Sequence, residues 1–145
     1  MSLLSHDARA PGDNRPSGWD LGPDHRLILD EADRFARKEL YPLSARMDDE
    51  EWWPDEAFPK IGAQGLFGVT VPAEFGGAGL DLLSAGVVAQ AFARWNHAMA
   101  LSCVAHDNLC LNNIYRNGDE RQRRKYLPDL CAGKTIGALG LTEPG

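Results

Sequence analysis

The chain of 145 residues contains few cysteines, and their arrangement excludes two common classes of small domain. Cys103, Cys110 and Cys131 are odd in number and have neither C-x-x-C nor zinc-ribbon spacing. We therefore expect free thiols in a reducing, cytoplasmic setting, without a disulfide framework. Cys103, His106 and Cys110 share one helical face, but a structural zinc site takes four ligands, and no second Cys/His cluster supplies the fourth. The spacing favours packing, and no metal site is predicted.

Long apolar runs and an excess of positive charge are also missing. No stretch approaches the roughly 20 apolar residues of a membrane-spanning helix, so no membrane span is predicted. The formal net charge of -6 opposes non-specific binding to nucleic acid, because such binding needs lysine and arginine to displace counterions. The N-terminus has no apolar core and therefore does not resemble a signal peptide. Residues 1–22 are predicted to form a flexible arm.

Several catalytic motifs are absent as well. The glycine-rich residues 75–79 (F-G-G-A-G) lack the Lys-Ser/Thr pair of a Walker loop, and no strand of a βαβ unit precedes them. We interpret them as a tight turn between helices whose glycines take positive φ. No G-x-S-x-G nucleophile motif occurs. The acidic residues 48–51 are contiguous and point in different directions, so they cannot act as a glycosidase pair.

What the chain does contain is apolar residues at helical spacing, and this pattern predicts an all-α bundle. The first helix begins near Asp24 and is bent or closed near Pro42, since proline lacks a backbone donor. Pro54 is expected in the first turn of a second helix, and Gly65 is expected to cap its end.

The remaining three helices are marked by capping residues. Asp81 and Asp119 are predicted N-caps of the third and fifth helices. The fourth helix, roughly residues 97–116, is apolar on much of its circumference, which places it inside the bundle. It ends at Asn117-Gly118, a pair suited to a left-handed C-cap. In the fifth helix, the charged run predicts a solvated face with i,i+4 pairs such as Glu120 with Arg124.

Three segments resemble one known family. Residues 136–145 read I-G-A-L-G-L-T-E-P-G, which resembles the signature with which acyl-CoA dehydrogenases begin their middle β-domain. Residues 101–128 resemble a helix pair of the same family, and A-H-D-N-L-C within them is similar to the isovaleryl-CoA (short branched-chain) dehydrogenase branch. The glycine-rich V-P-A-E-F-G-G-A-G also resembles a family segment. Together the likeness extends from about Leu27 to Gly145.

The resemblance implies an architecture. Residues 23–134 are expected to form an orthogonal or up-down helical bundle like the acyl-CoA dehydrogenase N-terminal domain. Residues 135–145 are expected to be the first β-strand of a truncated middle β-domain. Apolar surface is expected to be exposed on the fourth helix, because other domains cover it in the family.

The resemblance also implies a function and its partners. Acyl-CoA dehydrogenases use FAD to oxidise an acyl-CoA substrate to the 2,3-enoyl-CoA, with electron-transfer flavoprotein as the acceptor, and the full-length enzymes are expected to be homo-oligomers (tetramers). The glutamate base of the family lies in a later helical domain. No catalytic residue is therefore assigned in this chain, and the isolated 145 residues are expected to be inactive.

Residue by residue, the resemblance assigns two groups of site residues. The residues expected at the flavin are Leu139 and Leu141, against the isoalloxazine, and Thr142, donating to its pyrimidine side. The residues expected to face the acyl group are Leu101, Ser102, Ala105 and Leu109. Leu139 stands where many relatives have Tyr or Trp and where the isovaleryl-type branch has Leu. Small Ala105 is compatible with a short branched acyl group.

Two other interpretations stay open from the sequence. One is a stand-alone helical module that binds a partner or stabilises an assembly without turnover. The other keeps the fold and changes the chemistry, as in related flavin oxidases or monooxygenases.

Overall fold

The computed structural model describes residues 21–143, whose regular structure is entirely helical. The α-helices are α1 (Pro23–Phe35), α2 (Ser44–Asp49), α3 (Ala57–Ala63), α4 (Leu82–Trp95), α5 (His97–Val104), α6 (Asn112–Asn117) and α7 (Glu120–Cys131). Two π-helical turns (Ala36–Leu40 and Ala105–Leu111) and two 3-10 turns (Tyr41–Leu43 and Ala73–Phe75) join or separate them. The predicted arm, except for its last two residues, and the final Pro144 and Gly145 lie outside the described residues.

The first predicted helix continues beyond Pro42. The π-helical turn and the 3-10 turn lead directly from α1 into α2, so the helical stretch ends only at Asp49. The Tyr41 N–H donates to the Ala36 carbonyl, five residues back, immediately before Pro42 enters the tighter turn. This change of hydrogen-bond spacing accommodates a residue without a backbone donor. The predicted interruption is therefore a change of helix type.

Three predicted helix boundaries are confirmed. Asp81 caps α4, with its Oδ1 accepting from the Ser84 N–H at 2.8 Å. Asp119 caps α7 in a reciprocal capping box with Gln122. Gly65 follows α3 with a φ of 68°, in the left-handed region where glycine carries no steric penalty.

Two predicted boundaries are wrong. Pro54 is not in the first turn of α3; its carbonyl accepts from the Ala57 N–H at 2.9 Å in a turn that precedes the helix. Gly118 is not a left-handed cap, because its φ of -73° and ψ of 154° are those of extended backbone. Glycine suits position 118 for another reason, since an added Cβ would lie 2.5 Å from the Ile114 carbonyl oxygen.

The glycine-rich residues 75–79 form the tight turn that the sequence predicts. Gly76 and Gly79 have φ values of 90° and 66°, which side chains with a Cβ rarely adopt. Gly77 lies against backbone, since an added Cβ would be 2.1 Å from the Val71 carbonyl oxygen. The glycines therefore allow the chain between α3 and α4 to turn tightly and to pack closely against its own backbone.

The predicted strand is not formed in the part of the chain that the structure describes. Residues 136–143 have no regular secondary structure, and no strand occurs within 21–143. A strand is defined by ladder hydrogen bonds to a neighbour, and the described residues provide no such neighbour. Among these residues there is also no helix of the length and apolarity needed to span a membrane.

The core consists of two clusters. The larger one lies between α1, α3, α4 and α5 and includes the fully buried Phe58, Ile61, Phe92 and Met99. The smaller one packs beneath α7, around Leu127. Burial of side chains of this size is the main favourable contribution to folding.

Asn96 is a buried polar residue that joins three elements. It lies between α4 and α5 and is 3% exposed. Its Oδ1 accepts from the Met99 N–H at 3.0 Å and so caps α5, while its Nδ2 donates to the Leu40 carbonyl at 3.0 Å. Both ends of the amide are therefore used, as burial of a polar group requires.

We predict that Asn96→Ala lowers the free energy of unfolding by about 2–3 kcal/mol, because it removes a helix cap and the buried partner of the Leu40 carbonyl. Asn96→Ser keeps a capping oxygen and is expected to lose about half as much. Chemical denaturation of both variants measures the difference. A loss below about 0.5 kcal/mol for Asn96→Ala, typical of surface substitutions, would contradict this role.

Candidate functional site

The helical stretch from α5 to α6 carries an exposed apolar surface, as predicted from the resemblance. The side chain of Leu101 is 72% exposed and that of Leu109 is 47% exposed. Ser102 and Ala105 are half-buried beside them, and the Ser102 hydroxyl donates to the Ala98 carbonyl at 2.9 Å. The side of this stretch that carries the predicted acyl-site residues is therefore open to a ligand or another domain.

Residues 135–143, the terminal segment, present exposed backbone. Leu139, Leu141 and Thr142 are all exposed, with Leu141 at 81%. Within the described part of the chain, no hydrogen bond engages the backbone of residues 139–142. An added Cβ on Gly140 would meet nothing within 4 Å. The segment thus offers N–H and C=O groups next to open space.

A groove of about 410 Å³ lies between the helical stretch and the terminal segment. Leu109 from the helix and Leu139 from the terminal segment both line it, together with Ile114 and Tyr126. The structure therefore brings one predicted acyl-site residue and one predicted flavin-site residue to a common surface. Leu101, Ser102, Ala105, Leu141 and Thr142 do not line this groove.

His106 connects the helical stretch to the terminal segment. Its side chain is fully buried, and its Nε2 lies 3.0 Å from the Leu130 carbonyl oxygen of α7. Its Nδ1 lies 2.9 Å from the Gly137 amide nitrogen. A carbonyl can only accept and an amide N–H can only donate, so the imidazole is neutral and protonated on Nε2. Burial lowers the pKa of His106, which favours this neutral form.

The same bonds make Cys103, His106 and Cys110 poorly suited to hold a metal ion. Both nitrogens of His106 are occupied by backbone groups. Burial raises the pKa of the Cys103 and Cys110 thiols, which opposes the thiolate form that binds metals. Across residues 21–143, no three His, Cys, Asp or Glu side chains are grouped to hold an ion.

Asp107 is a buried carboxyl group next to His106 in the same π-helical turn. It is 8% exposed, and its Oδ1 accepts from the Gly68 N–H at 2.5 Å. Burial raises the pKa of Asp107 to about 6, and the Gly68 hydrogen bond acts in the opposite direction. Nearby, burial and the Asp107 charge raise the pKa of Cys131 to about 12. Asp107 therefore ties the π-helical turn to the loop that leads into the glycine-rich turn.

The roles of His106 and Asp107 were not predicted from the sequence. His106 was considered there only as a metal ligand, and Asp107 was not singled out. The available signal was the pair of ionisable residues at the centre of an otherwise apolar helix, since buried ionisable groups require partners. The sequence does not show which backbone groups act as those partners, because long-range packing brings them together.

Comparison with known proteins places this geometry in a family. Residues 22–134 match the model of the acyl-CoA dehydrogenase N-terminal domain. The chain belongs to the acyl-CoA dehydrogenase family. The resemblance drawn from the sequence is thereby confirmed, and so is the all-α class of the domain.

Individual relatives of this acyl-CoA dehydrogenase family member agree. The mitochondrial isovaleryl-CoA dehydrogenase of Bos taurus is 35% identical over 136 residues, covering 92% of this chain and 32% of the relative. A glutaryl-CoA dehydrogenase from Mycobacterium smegmatis, solved in complex with FADH2, matches with a TM-score of 0.80 and 29% identity over 86% of this chain and 32% of that one. A structure described as electron transferring flavoprotein of Acidaminococcus fermentans matches with a TM-score of 0.82 and 35% identity over 88% and 33%. The chain spans about a third of the length of these relatives.

We predict that Asp107→Asn stabilises the chain increasingly as the pH rises from about 4 to above 6. The carboxyl group of Asp107 ionises near pH 3.8 in the unfolded chain and near pH 6 in the folded chain. As the pH rises between these values, ionisation lowers the free energy of the unfolded state relative to that of the folded state. The free energy of unfolding of the wild type therefore falls between about pH 4 and pH 6. Asparagine does not titrate, so the Asp107→Asn variant avoids this decrease. The shift corresponds to roughly 3 kcal/mol at about 1.4 kcal/mol per pKa unit.

Denaturation curves of wild type and Asp107→Asn at several pH values measure this difference, with Asp48→Asn removing one exposed carboxylate as the control. A difference between wild type and Asp107→Asn that is independent of pH would contradict the assignment of a raised pKa to Asp107.

Proposed function

We propose that this chain is the N-terminal part of an FAD-dependent acyl-CoA dehydrogenase that oxidises an acyl-CoA to the 2,3-enoyl-CoA. The observation that carries the proposal is the juxtaposition of an exposed apolar helix face with backbone at residues 139–142 that has no hydrogen-bond partner among the described residues. Family membership supports the reaction class. A bound flavin would supply the acceptor for the hydride that leaves the substrate.

The residues present fit one edge of a flavin. The backbone N–H and C=O groups of residues 139–142 have no partner within the described residues, and open space lies above Gly140. A planar pyrimidine edge offers complementary donors and acceptors, and the exposed Leu139 and Leu141 can cover an apolar ring. We assign Leu139, Leu141 and Thr142 to the cofactor on these grounds. The Mycobacterium smegmatis relative contains FADH2, which agrees with this cofactor.

The acyl group is assigned to the open face of the helical stretch. Leu101 and Leu109 supply exposed apolar surface, and the smaller Ser102 and Ala105 lie between them. Such a surface binds an alkyl chain through burial of apolar area. A short branched acyl group agrees with the small side chain of Ala105 and with the isovaleryl-CoA dehydrogenase among the relatives.

Further parts of the reaction lie outside these residues in our proposal. No acid of the chain is assigned as the base that removes the substrate proton, and we place that base beyond residue 145. We propose electron-transfer flavoprotein as the electron acceptor, a homotetramer as the assembly and the cytoplasm as the location. Membership of the family supports the first, and free cysteines support the last.

We predict that the complete gene product binds FAD and that its visible flavin absorption is bleached by isovaleryl-CoA under anaerobic conditions. Residues 1–145 alone are expected to show no acyl-CoA-dependent dye reduction, because the base is not among them. Absence of flavin from the complete protein would favour a helical module without turnover. Bleaching followed by rapid reoxidation in air would favour an oxidase.

We predict that Ala105→Leu in the complete protein lowers kcat/KM for isovaleryl-CoA about tenfold, because added bulk on the acyl face excludes the substrate. Ala63→Leu, which adds the same volume to an exposed alanine on α3, is expected to leave kcat/KM unchanged. Steady-state kinetics measures both. Equal values for the two variants would argue against an acyl group beside Ala105.

A further inference from the structure

The terminal segment is attached to the helices at a few successive points. The Thr135 N–H donates to the Asp129 carbonyl at 3.3 Å, and the Gly137 N–H donates to Nδ1 of His106 at 2.9 Å. The Ala138 amide faces the Cys110 thiol. Beyond this point, the backbone of residues 139–142 has no partner in the described part of the chain. The Gly137 bond is therefore the last attachment to a rigid, fully buried side chain before the residues assigned to the flavin.

The imidazole of His106 is itself held in place on several sides. Its ring packs edge-on against Phe58 and Phe67, with centroid separations of 5.1 and 4.4 Å. Its Nε2 donates to the Leu130 carbonyl of α7 at 3.0 Å. A ring fixed by two aromatic contacts and a hydrogen bond presents its remaining nitrogen in a defined direction.

The backbone at Gly137 is in close contact with the helix as well. An added Cβ there would lie 2.5 Å from Sγ of Cys110 and 2.9 Å from its Cβ. The Gly137 amide therefore reaches His106 only because position 137 has no side chain. Two independent features, a hydrogen bond and a close approach, fix the same point of the terminal segment.

We propose that His106 is a positioning residue for the flavin: by donating to Leu130 and accepting from Gly137, its neutral imidazole sets the position of residues 139–142 against the isoalloxazine edge. This inference rests on the proposed function. His106 is buried behind the segment and acts through Gly137. Loss of the Gly137 bond removes the attachment nearest to residues 139–142 on a rigid side chain and gives the segment more freedom, so that flavin binding must then order it and is weakened.

Two amide substitutions separate the two hydrogen bonds. In His106→Asn, the carbonyl Oδ1 lies near the place of Nδ1 and can accept from Gly137. In His106→Gln, the longer side chain places its NH2 group near Nε2, where it can donate to Leu130, and the acceptor for Gly137 is lost. Both variants lose the aromatic contacts, so a purely structural role predicts similar behaviour for the two.

The experiment uses the complete protein and titrates FAD into the apoprotein of each variant, recording affinity and the shape of the visible flavin spectrum. We expect His106→Gln to bind FAD about tenfold more weakly, as loss of one hydrogen bond implies. We expect its flavin spectrum to approach that of free FAD. His106→Asn is expected to retain wild-type affinity and spectrum. Amide exchange at Gly137 should be fast in the Gln variant and slow in the Asn variant.

Gly137→Ala tests the same point with His106 intact, since the added methyl group must displace the backbone from Cys110. It is expected to reproduce the His106→Gln spectrum. Val88→Ala, a core substitution in α4 away from the terminal segment, controls for lost stability and should leave FAD affinity unchanged.

The outcomes distinguish this proposal from the function on which it rests. If wild type binds no FAD, the proposed function fails. If wild type binds FAD and the Gln, Asn and Gly137→Ala variants all bind it with wild-type affinity and spectrum, His106 has no positioning role. A loss of affinity that is equal in the Gln and Asn variants and matched by Val88→Ala would likewise overturn it.

Discussion

The candidate site depends most on the two hydrogen bonds that the neutral imidazole of His106 makes with backbone groups. The imidazole joins the π-helical turn Ala105–Leu111 to α7 through Leu130 and to the terminal segment through Gly137. The next residue, Asp107, joins the same turn to Gly68 and the loop before the glycine-rich turn. Because both side chains are buried, each hydrogen bond is made in a medium of low dielectric, where a missing partner would be costly. One turn of helix thus fixes two irregular parts of the chain.

The π-helical geometry of this turn has a structural consequence. A π-helical turn bonds five residues back, so it shifts the face that the following residues present. His106 and Asp107 are adjacent in sequence and both buried, yet they bind backbone from different elements. Leu101 and Leu109, before and within the turn, remain on the exposed side. The same stretch can therefore anchor the fold on one side and present an apolar face on the other.

Local chemistry allowed several elements to be predicted from the sequence. Asp81, Asp119 and the glycines at 76 and 79 follow capping and positive-φ rules that depend only on near neighbours. The errors arose where the outcome depends on backbone geometry that the residue type alone does not specify. Pro42 is accommodated by a π-helical turn, and Gly118 is required by the nearby Ile114 carbonyl. The buried contacts of Asn96 with Leu40 bridge residues far apart in the chain and have no signature at the sequence level.

The candidate site likewise has features that were predicted from the sequence and features that were not. Its family and an exposed apolar surface on the helix that carries Leu101 and Leu109 were predicted through resemblance to whole segments. The groove shared by Leu109 and Leu139 was not predicted, because it arises from the return of the chain after α7.

The most direct measurement is a crystal structure of the complete protein with FAD bound. Our account predicts the flavin pyrimidine edge within hydrogen-bond distance of the backbone of residues 139–142, with the Gly137 amide still on Nδ1 of His106. A flavin bound elsewhere, or a terminal segment detached from His106 in the complex, would contradict it.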